Sequence, residues 1–384
     1  YYEVALVFGA GGISGWALAK NLLPYPTPTA FDRVIGLTHR PRTIVESDLP
    51  QDPRLELYSG VDLRTDLDTV KSQMQERVHN LNQVPHIENV MDIKSINKNM
   101  TYNAVPLTDT LCSHLEFLVL QTGTDKTTPA FHPSPYADEI FDYEQVDLIK
   151  GASMEKSWKW CEIRLDQIIG FVPNVTGMTF VEPLALYLSL YRFINGPGAN
   201  IAFPGTRNNF THTFTDASQD LVSKSEIYLS VQAPDKANRE ALNIADTDVP
   251  GPWSVKWPIL ADCFELKGIG PGEKGWEDLE KWWNDHQSDY RHMCKTYRLE
   301  RRDISPSSWI FMKAGFVMLD RDREMCLDKI IDIGFKEEYP VGMGYIIAFE
   351  RIAEAKLIPS RHALSTSLFS EPSLTKTMEI LALA

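Results

Sequence analysis

Val4-Ala-Leu-Val-Phe8 is a short, wholly apolar run, and Gly9-Ala-Gly-Gly12-Ile-Ser-Gly15 follows it directly. Such a run is typical of a central parallel strand. Residues 16–23 are good helix formers, and Pro24 ends the helix they predict. The order is strand, glycine turn, helix. The glycines permit a tight turn and let the backbone approach a pyrophosphate closely, and the N–H groups at the start of the helix face that pyrophosphate. We therefore predict a dinucleotide site, with a flexible glycine turn as the alternative. Its predicted phosphate-binding residues are Gly9, Gly12, Ile13 and Gly15.

The elements after this turn continue the alternation of strand and helix. Apolar runs predict strands at 33–38, 55–58, 115–120 and 160–164, and helical spacing predicts helices at 66–80, 92–111 and 137–150. Parallel strands require crossovers of this kind. We therefore predict an α/β fold, a Rossmann-type doubly wound parallel sheet. Residues 1–172 form it, with sheet contributions from about 205–246.

One strand of this sheet is weakly encoded. The pattern requires a fourth strand between the helices that end near Asn80 and begin near Asp92, and the only candidate is Val84-Pro-His-Ile-Glu-Asn-Val90. A central strand is expected to hold apolar, β-branched residues and no proline. We expect either a degenerate strand or a loss of residues here, and favour the loss. A second loss is expected between Lys126 and Pro135.

The second half of the chain has a different pattern. Helices separated by short strands follow Pro173, and tryptophans are dense, as at Trp253, Trp257 and Trp309. We interpret these rings as core packing rather than as a ligand cage. The sequence predicts a smaller, mostly helical substrate-binding cap formed by residues 173–204 and 247–359. Residues 360–384 are expected to be a poorly ordered tail.

The end of the second strand indicates which dinucleotide is bound. NAD sites usually carry an Asp or Glu there, whereas this chain has Thr38-His39-Arg40-Pro41-Arg42. Because an arginine at this place suits a 2′-phosphate, we predict NADP(H), with a solvated basic loop as the alternative. Asp62 is placed to reach the adenine or, alternatively, to cap the next turn. The predicted residues of this part of the cofactor site are Thr38, His39, Arg40, Asp62, Leu63 and Thr122.

A phenol is the best candidate for the catalytic group. Tyr143 lies on the predicted helix after a polar loop. A phenol donates a proton to a developing oxyanion when a neighbour lowers its pKa. The usual neighbour is a lysine one turn later, but Asp147 stands there. Lys126, after the 115–120 strand, is the predicted substitute. The alternatives are a core aromatic for Tyr143 and a surface lysine for Lys126.

Charge and cysteine content exclude several classes of protein. The chain has 38 Lys and Arg against 52 Asp and Glu, a formal net charge of −14, so we expect no nucleic-acid partner. No run of about 18 apolar residues indicates a membrane span, so no membrane partner is expected. The 5 cysteines are scattered without metal-ligand spacing, which favours reduced thiols in a cytoplasmic protein and no metal site. We expect a hydrophobic small-molecule substrate and leave a homodimer open.

These motifs together resemble a known family. The chain looks like an atypical extended short-chain dehydrogenase/reductase of the progesterone 5β-reductase and iridoid synthase type, especially its fungal members. The resemblance covers nearly the whole chain to about Pro359, and the combination of motifs is specific. The matching stretches are 9–16, 36–41, 60–63, 120–123, 141–147, 160–173, 203–206 and 243–246.

The resemblance implies a Rossmann domain that binds NADPH, a helical cap, and reduction of the carbon–carbon double bond of an activated enone. In the family, a Tyr of a Phe-Tyr-Tyr motif works with a Lys after a Thr-Gly turn. Tyr143 matches the second Tyr, whereas Asp142 replaces the first. Asp125 stands at the gapless Lys position, with Lys126 one residue later, and Leu165 replaces a usual proline.

Three activities and a non-catalytic cofactor-binding role therefore remain open at the level of sequence. The leading interpretation is an NADPH-dependent enone reductase of secondary metabolism, in which Tyr143 and Lys126 stabilise the enolate oxygen. A carbonyl reductase on the same scaffold is the second. The third is a cofactor-binding cyclase that consumes no hydride, which Asp125, Asp142 and Asp147 motivate.

Overall fold

The computed structural model describes residues 3–90, 95–123, 141–173, 177 and 179–361, with the backbone alone for residues 88–90, 95–99 and 141–143. The strands are β1 (Val4–Phe8), β2 (Arg33–Thr38), β3 (Leu55–Ser59), β4 (His86–Val90), β5 (Phe117–Gly123), β6 (Lys159–Leu165), β7 (Ile168–Ile169), β8 (Asn200–Ala202), β9 (Thr213–Phe214), β10 (Ala217–Ser218), β11 (Ala241–Asn243), β12 (Gly251–Pro252) and β13 (Lys267–Ile269). The helices are α1 (Ile13–Asn21), α2 (Leu67–Arg77), α3 (Ser95–Leu111), α4 (Phe141–Ala152), α5 (Val181–Asn195), α6 (Arg207–Thr211), α7 (Gln219–Val231), α8 (Pro234–Ala237), α9 (Trp253–Asp262), α10 (Leu279–Asp285), α11 (Gln287–Tyr297), α12 (Pro306–Lys313), α13 (Asp328–Ile333) and α14 (Met343–Glu354).

The main sheet has seven strands in the order β11-β6-β5-β4-β1-β2-β3. Every pair of neighbours in it is parallel. The order reverses between β1 and β4, as it does in doubly wound dinucleotide-binding sheets. The predicted α/β fold is therefore confirmed. β11, from the second half of the chain, adds the seventh strand beside β6.

The fourth strand is present, so the prediction that residues were lost between Val84 and Val90 was wrong. β4 pairs with β1 on one side and with β5 on the other. Its polar residue His86 is buried. The strand tolerates this imidazole because His86 Nε2 lies 3.0 Å from the Glu3 carboxylate. Ile87 is fully buried. The loss expected between residues 126 and 135 lies outside the described residues.

The side chains of β1 alternate between two covered faces of the sheet. Ala5 and Val7 belong to the hydrophobic core that includes residues of α1. Leu6 and Phe8 belong to the core that includes residues of α2, α3 and α4. On the first face, α7 packs against α1. Because both faces are covered, β1 must be apolar at every position.

The residues of the predicted cap contribute many aromatic rings to one hydrophobic core, which also includes Phe171 and Phe214. The ring centroids of Trp253 and Phe316 are 4.9 Å apart, those of Phe203 and Trp253 are 5.6 Å apart, and those of Phe180 and Phe316 are 5.1 Å apart. Trp253 and Trp257 are fully buried. Among the described residues of the second half, helices are the predominant secondary structure. None of the described helices is long and apolar enough to cross a membrane.

Candidate active site

The glycine turn fixes the start of α1 against the end of β1. Gly9 has φ 74°, a left-handed conformation that favours glycine. A Cβ atom on Gly15 would lie 2.3 Å from the Gly9 carbonyl oxygen. Gly12 is the N-cap of α1 and makes no side-chain cap. The first N–H groups of α1, which begins at Ile13, therefore have no partner inside the helix and are suited to phosphate oxygens.

The loop after β2 returns to this turn and places an arginine beside it. The Thr38 hydroxyl donates to the Arg40 carbonyl oxygen over 2.9 Å. The Arg42 N–H donates to Ser59 Oγ over 2.9 Å. A Cβ on Gly11 would lie 3.5 Å from Arg42 Nε, so the Arg42 side chain lies against the turn. The sequence analysis quoted Arg42 but did not select it, and its signal was the second arginine after Pro41.

Arg40 and Arg42 form a pair of positive charges on the loop after β2, and the nearby Glu46 carboxylate offsets part of the charge of Arg42. Burial, and then the charge of Arg40, lower the pKa of the Arg42 guanidinium below its ordinary value. Within the described ranges, neither side chain has an ion pair with a carboxylate. A bound phosphate would offset this repulsion, so the end of β2 is suited to a phosphorylated ligand.

Asp62 is engaged by a neighbour that the sequence analysis did not name. Arg64 donates to both carboxylate oxygens of Asp62, each over 2.7 Å. These hydrogen bonds hold the pKa of Asp62 at about 2. Arg64 Nη2 also lies 2.5 Å from His39 Nε2. His39, Asp62 and Arg64 are therefore brought together beside the predicted cofactor site, whereas Leu63 is buried in the sheet core.

The end of β5 carries two polar side chains with different partners. The Thr122 hydroxyl donates to Glu162 Oε1 over 2.7 Å, inside the protein. Gln121 Nε2 donates to Ser14 Oγ over 3.0 Å, which ties β5 to the first turn of α1. Gln121 Oε1 is buried, with no hydrogen-bond partner in the described part of the chain. Gln121 is thus a polar group at the candidate site that sequence reasoning missed.

The predicted catalytic residues are only partly covered by the structure. Tyr143 is the third residue of α4, which follows β5 in the chain. The side chain of Tyr143 and the whole of Lys126 lie outside the described residues. Asp147, which stands where a helper lysine is usual, is largely exposed, and its Oδ1 is 3.8 Å from Lys150 Nζ.

Gly315, from the C-terminal part of the chain, packs against Gln167 near the carboxyl end of β6. Gln167 follows β6 by two residues and is 8% exposed. Its Nε2 has no hydrogen-bond partner among the residues that the structure describes. A Cβ on Gly315 would lie 3.3 Å from Gln167 Oε1. Gly315 belongs to a π-helical turn at Ala314–Met318, a feature that is frequent at functional sites. Doubly wound sheets bind ligands at this edge.

A cavity of about 200 Å³ lies beside the same π-helical turn. Trp276, Trp309 and Phe316 are among the residues that line it, together with Glu277 and Lys313. The Lys313 ammonium is 5.1 Å from the Trp276 ring centroid. Burial raises the pKa of Glu277. The lining therefore combines aromatic rings with charged side chains, since Asp278 and Glu280 also belong to it. No cluster of metal-ligating side chains occurs in the described ranges.

Similar proteins agree with this architecture. The model of the PRISE-like Rossmann-fold domain family matches residues 5–359. The short chain dehydrogenase ausT of Aspergillus calidoustus is 45% identical, over 95% of this chain and 96% of its own. The 3-oxo-Delta(4,5)-steroid 5-beta-reductase of Arabidopsis thaliana is 24% identical, over 79% of this chain and 80% of its own.

A solved structure shares the fold at low identity. The enzyme WbmF of Bordetella bronchiseptica, in complex with NADH, superposes with a TM-score of 0.56 at 12% identity. The superposition covers 99% of this chain and 95% of that one. The resemblance drawn from the motifs is confirmed by the family match, and the chain is an oxidoreductase of the short-chain dehydrogenase type that belongs to the PRISE-like Rossmann-fold family.

Proposed function

We propose that the protein is an NADPH-dependent reductase that acts on the activated carbon–carbon double bond of an enone-type small molecule in secondary metabolism. The observation that carries the proposal is the contact between the glycine turn and the basic loop. The first turn of α1 offers N–H groups that have no partner inside the helix. Arg42 lies against Gly11 and forms no ion pair with a carboxylate in the described ranges. These residues fit a dinucleotide with an additional phosphate.

Each group of the site has a distinct role in this reaction. NADPH, when bound, supplies the hydride that adds to the β-carbon of the enone. The start of α1 holds the pyrophosphate, and Arg40 and Arg42 hold the 2′-phosphate. Tyr143, assisted by the positive charge of Lys126, donates a hydrogen bond to the oxygen on which negative charge develops. The α-carbon of the enolate then takes up a proton from solvent, which gives the saturated ketone.

Two further observations support this choice of substrate. The cavity is lined by Trp276, Trp309 and Phe316, which suit an apolar carbon skeleton, and by charged side chains that suit a polar group on it, namely Glu277, Asp278, Glu280 and Lys313. The relatives include a protein named 3-oxo-Delta(4,5)-steroid 5-beta-reductase and one from Camptotheca acuminata named (S)-8-oxocitronellyl enol synthase, which is 26% identical over 70% of this chain. Both names describe chemistry on small organic molecules.

The proposal is tested by paired substrates. The purified protein is incubated with NADPH and each of a panel of enones, and in parallel with the saturated ketones of the same skeletons. We expect NADPH oxidation with enones and none with the saturated partners. Oxidation with both would indicate a carbonyl reductase. Conversion of an enone without NADPH oxidation would indicate a cyclase.

A further inference from the structure

We infer that Trp276 is a movable wall of the cavity beside the π-helical turn and sets the size of the substrate that the protein accepts. This inference rests on the proposed function, since it names the residue that selects substrates at the cavity used there. The cavity measures about 200 Å³. Sites for small organic molecules usually measure about 300–1,000 Å³. A wall must therefore move before a molecule of ordinary size can enter.

The other aromatic walls of the cavity are fixed in the core. Trp309 and Phe316 are buried. The ring centroid of Phe316 lies 4.9 Å from that of Trp253, and the ring centroid of Trp309 lies 6.1 Å from that of Trp283. By contrast, Trp276 is 40% exposed. Movement of Trp276 therefore breaks less packing than movement of either buried ring.

A surface loop, residues 270–276, is held at its two ends by adjacent residues. The Phe203 N–H donates to the carbonyl oxygen of Ile269, just before the loop, over 2.9 Å. The Glu277 N–H, just after the loop, donates to the Pro204 carbonyl oxygen over 3.0 Å. A compact surface loop whose ends lie close together is an Ω-loop, and such loops are frequently functional. The last residue of this loop is the tryptophan of the cavity wall.

Between these ends, the loop makes few contacts that would resist movement. Within the described residues, its backbone adds one hydrogen bond, from the Gly275 N–H to the Gly272 carbonyl oxygen over 3.1 Å, and this bond lies inside the loop itself. A Cβ atom on Gly272 or on Gly275 would meet nothing within 4 Å. A segment with so few buried contacts opens at a low cost in free energy. The loop can therefore swing about its two ends while the rest of the cap stays in place.

A cation–π contact holds the loop over the cavity. The Lys313 ammonium, at the end of α12, lies 5.1 Å from the Trp276 ring centroid. In the described ranges Lys313 forms no ion pair with a carboxylate, so its charge is directed at this ring. A cation–π contact at an exposed site is worth about two- to fivefold in an equilibrium constant. Such a contact favours the closed wall in the free protein, yet a ligand can displace it.

A wall of this kind selects substrates by size. A small enone binds with the indole of Trp276 in place and gains its apolar contact. A larger enone must push the indole away from Lys313 and loses both contacts. Shortening the side chain of Trp276 should therefore favour large substrates over small ones.

The first measurement requires no turnover. The protein is labelled with 5-fluorotryptophan, and the Trp276 resonance is identified in the fluorine NMR spectrum by its absence from Trp276→Phe. We expect Lys313→Met to move this resonance toward the position of solvent-exposed fluorotryptophan. Lys313→Arg, which keeps a cation over the ring, should leave it in place. An unchanged resonance in Lys313→Met would overturn the inference, because the wall would then not be held as described.

The second measurement compares two enones of different size, 2-cyclohexenone and 4-androstene-3,17-dione. Trp276→Ala should raise the ratio of kcat/KM for the large enone to that for the small one by at least about tenfold, since a single methylene already changes discrimination by about 10–200-fold. Trp276→Phe should change this ratio less. Glu273→Ala, in the same loop but not in the cavity wall, is the control and should leave it unchanged. An unchanged ratio in Trp276→Ala, or an equal change in Glu273→Ala, would overturn the inference.

These outcomes separate the inference from the proposed function. Reduction of both enones with no dependence on Trp276 would overturn the inference and leave the proposed function intact. If the wild-type protein reduces neither enone, the proposed function is contradicted, and the labelled protein is titrated with the same two ketones. A saturable shift of the Trp276 resonance toward the exposed position with the large ketone would then support the inference, and no shift with either ketone would overturn it.

Discussion

Gly15 lies so close to Gly9 that a Cβ atom on Gly15 would stand 2.3 Å from the Gly9 carbonyl oxygen. This contact joins the first turn of α1 to the end of β1. It sets the direction in which the N–H groups of α1 point, and therefore the place where a pyrophosphate can bind.

The first prediction follows from this contact. Gly15→Ala must push α1 away from β1, because the atom that it meets belongs to the backbone. We expect a loss of about 1–3 kcal/mol in the free energy of unfolding, as is usual for overpacking, and a loss of NADPH binding. Urea denaturation and cofactor titration measure the two effects. Gly151→Ala is the control, since its Cβ would meet nothing within 4 Å. Equal free energies of unfolding and equal NADPH affinities in Gly15→Ala and Gly151→Ala would contradict this role of Gly15.

The second prediction concerns cofactor preference in the unmodified protein. We expect NADPH to bind at least about tenfold more tightly than NADH, because a charge-assisted pair with the 2′-phosphate contributes about 1.5–3 kcal/mol. Fluorescence titration of both cofactors measures this ratio. The ratio of NADPH affinity to NADH affinity should decrease as salt is added, because salt screens the charges of the exposed part of this site. Equal affinities at low salt would rule out the roles given to Arg40 and Arg42.

The third prediction concerns a buried carboxyl group where the cap meets the sheet. Asp246 accepts a hydrogen bond from the Ser218 N–H over 2.6 Å. Burial, and then the nearby charge of Asp216, raise the pKa of Asp246 to about 7. Because the folded-state pKa lies above the unfolded value, this group costs stability as pH rises from about 4 to about 7. One pKa unit is about 1.4 kcal/mol, so the cost is at most about 4 kcal/mol.

Asp246→Asn should remove this dependence. The amide keeps an oxygen that can accept from Ser218 and carries no charge at any pH. We expect the variant to gain stability over the wild type between pH 4 and pH 7, measured by thermal denaturation across that range. Asp235→Asn is the control, because Asp235 is exposed and pairs only at the surface with Lys159. A pH profile identical to that of the wild type would show that Asp246 does not titrate there.

The fourth prediction concerns the catalytic phenol. Tyr143→Phe removes one oxyanion donor, which typically costs about 10²–10³ in rate. NADPH affinity should barely change, because the glycine turn and the arginines carry it. Lys126→Met should give a smaller loss of rate. Tyr297→Phe, in the cap helix α11, is the control for loss of a hydroxyl. Normal turnover with normal NADPH consumption in Tyr143→Phe would exclude this mechanism, and normal turnover without consumption would indicate a cyclase.

Sequence reasoning succeeded where the relevant contacts are local. The glycine turn, its strand and its helix occupy adjacent residues, so spacing alone located Gly9, Gly12 and Gly15. It failed at β4, because the partner that makes His86 tolerable in a central strand is Glu3, which lies 83 residues away. A prediction from hydrophobic periodicity considers each residue without its distant partners, and it therefore misses a strand whose polar residue is paired by a distant one.

The same limit applies to the candidate site. Thr122 stays a predicted cofactor-binding residue, but the sequence did not indicate that its hydroxyl donates to Glu162 on the neighbouring strand. The approach of Arg42 to Gly11 depends on Ser59, at the end of another strand. Which of several arginines remains unpaired is decided by tertiary contacts, and spacing cannot reveal it.

The most direct test of the central claim is to follow the hydride itself. NADPH labelled with deuterium at the transferred position of C4 is incubated with the protein and an enone that it consumes, and the product is examined by mass spectrometry and NMR. The account predicts one deuterium on the β-carbon of a saturated ketone. Deuterium on a carbinol carbon, or a converted product without deuterium, would contradict it.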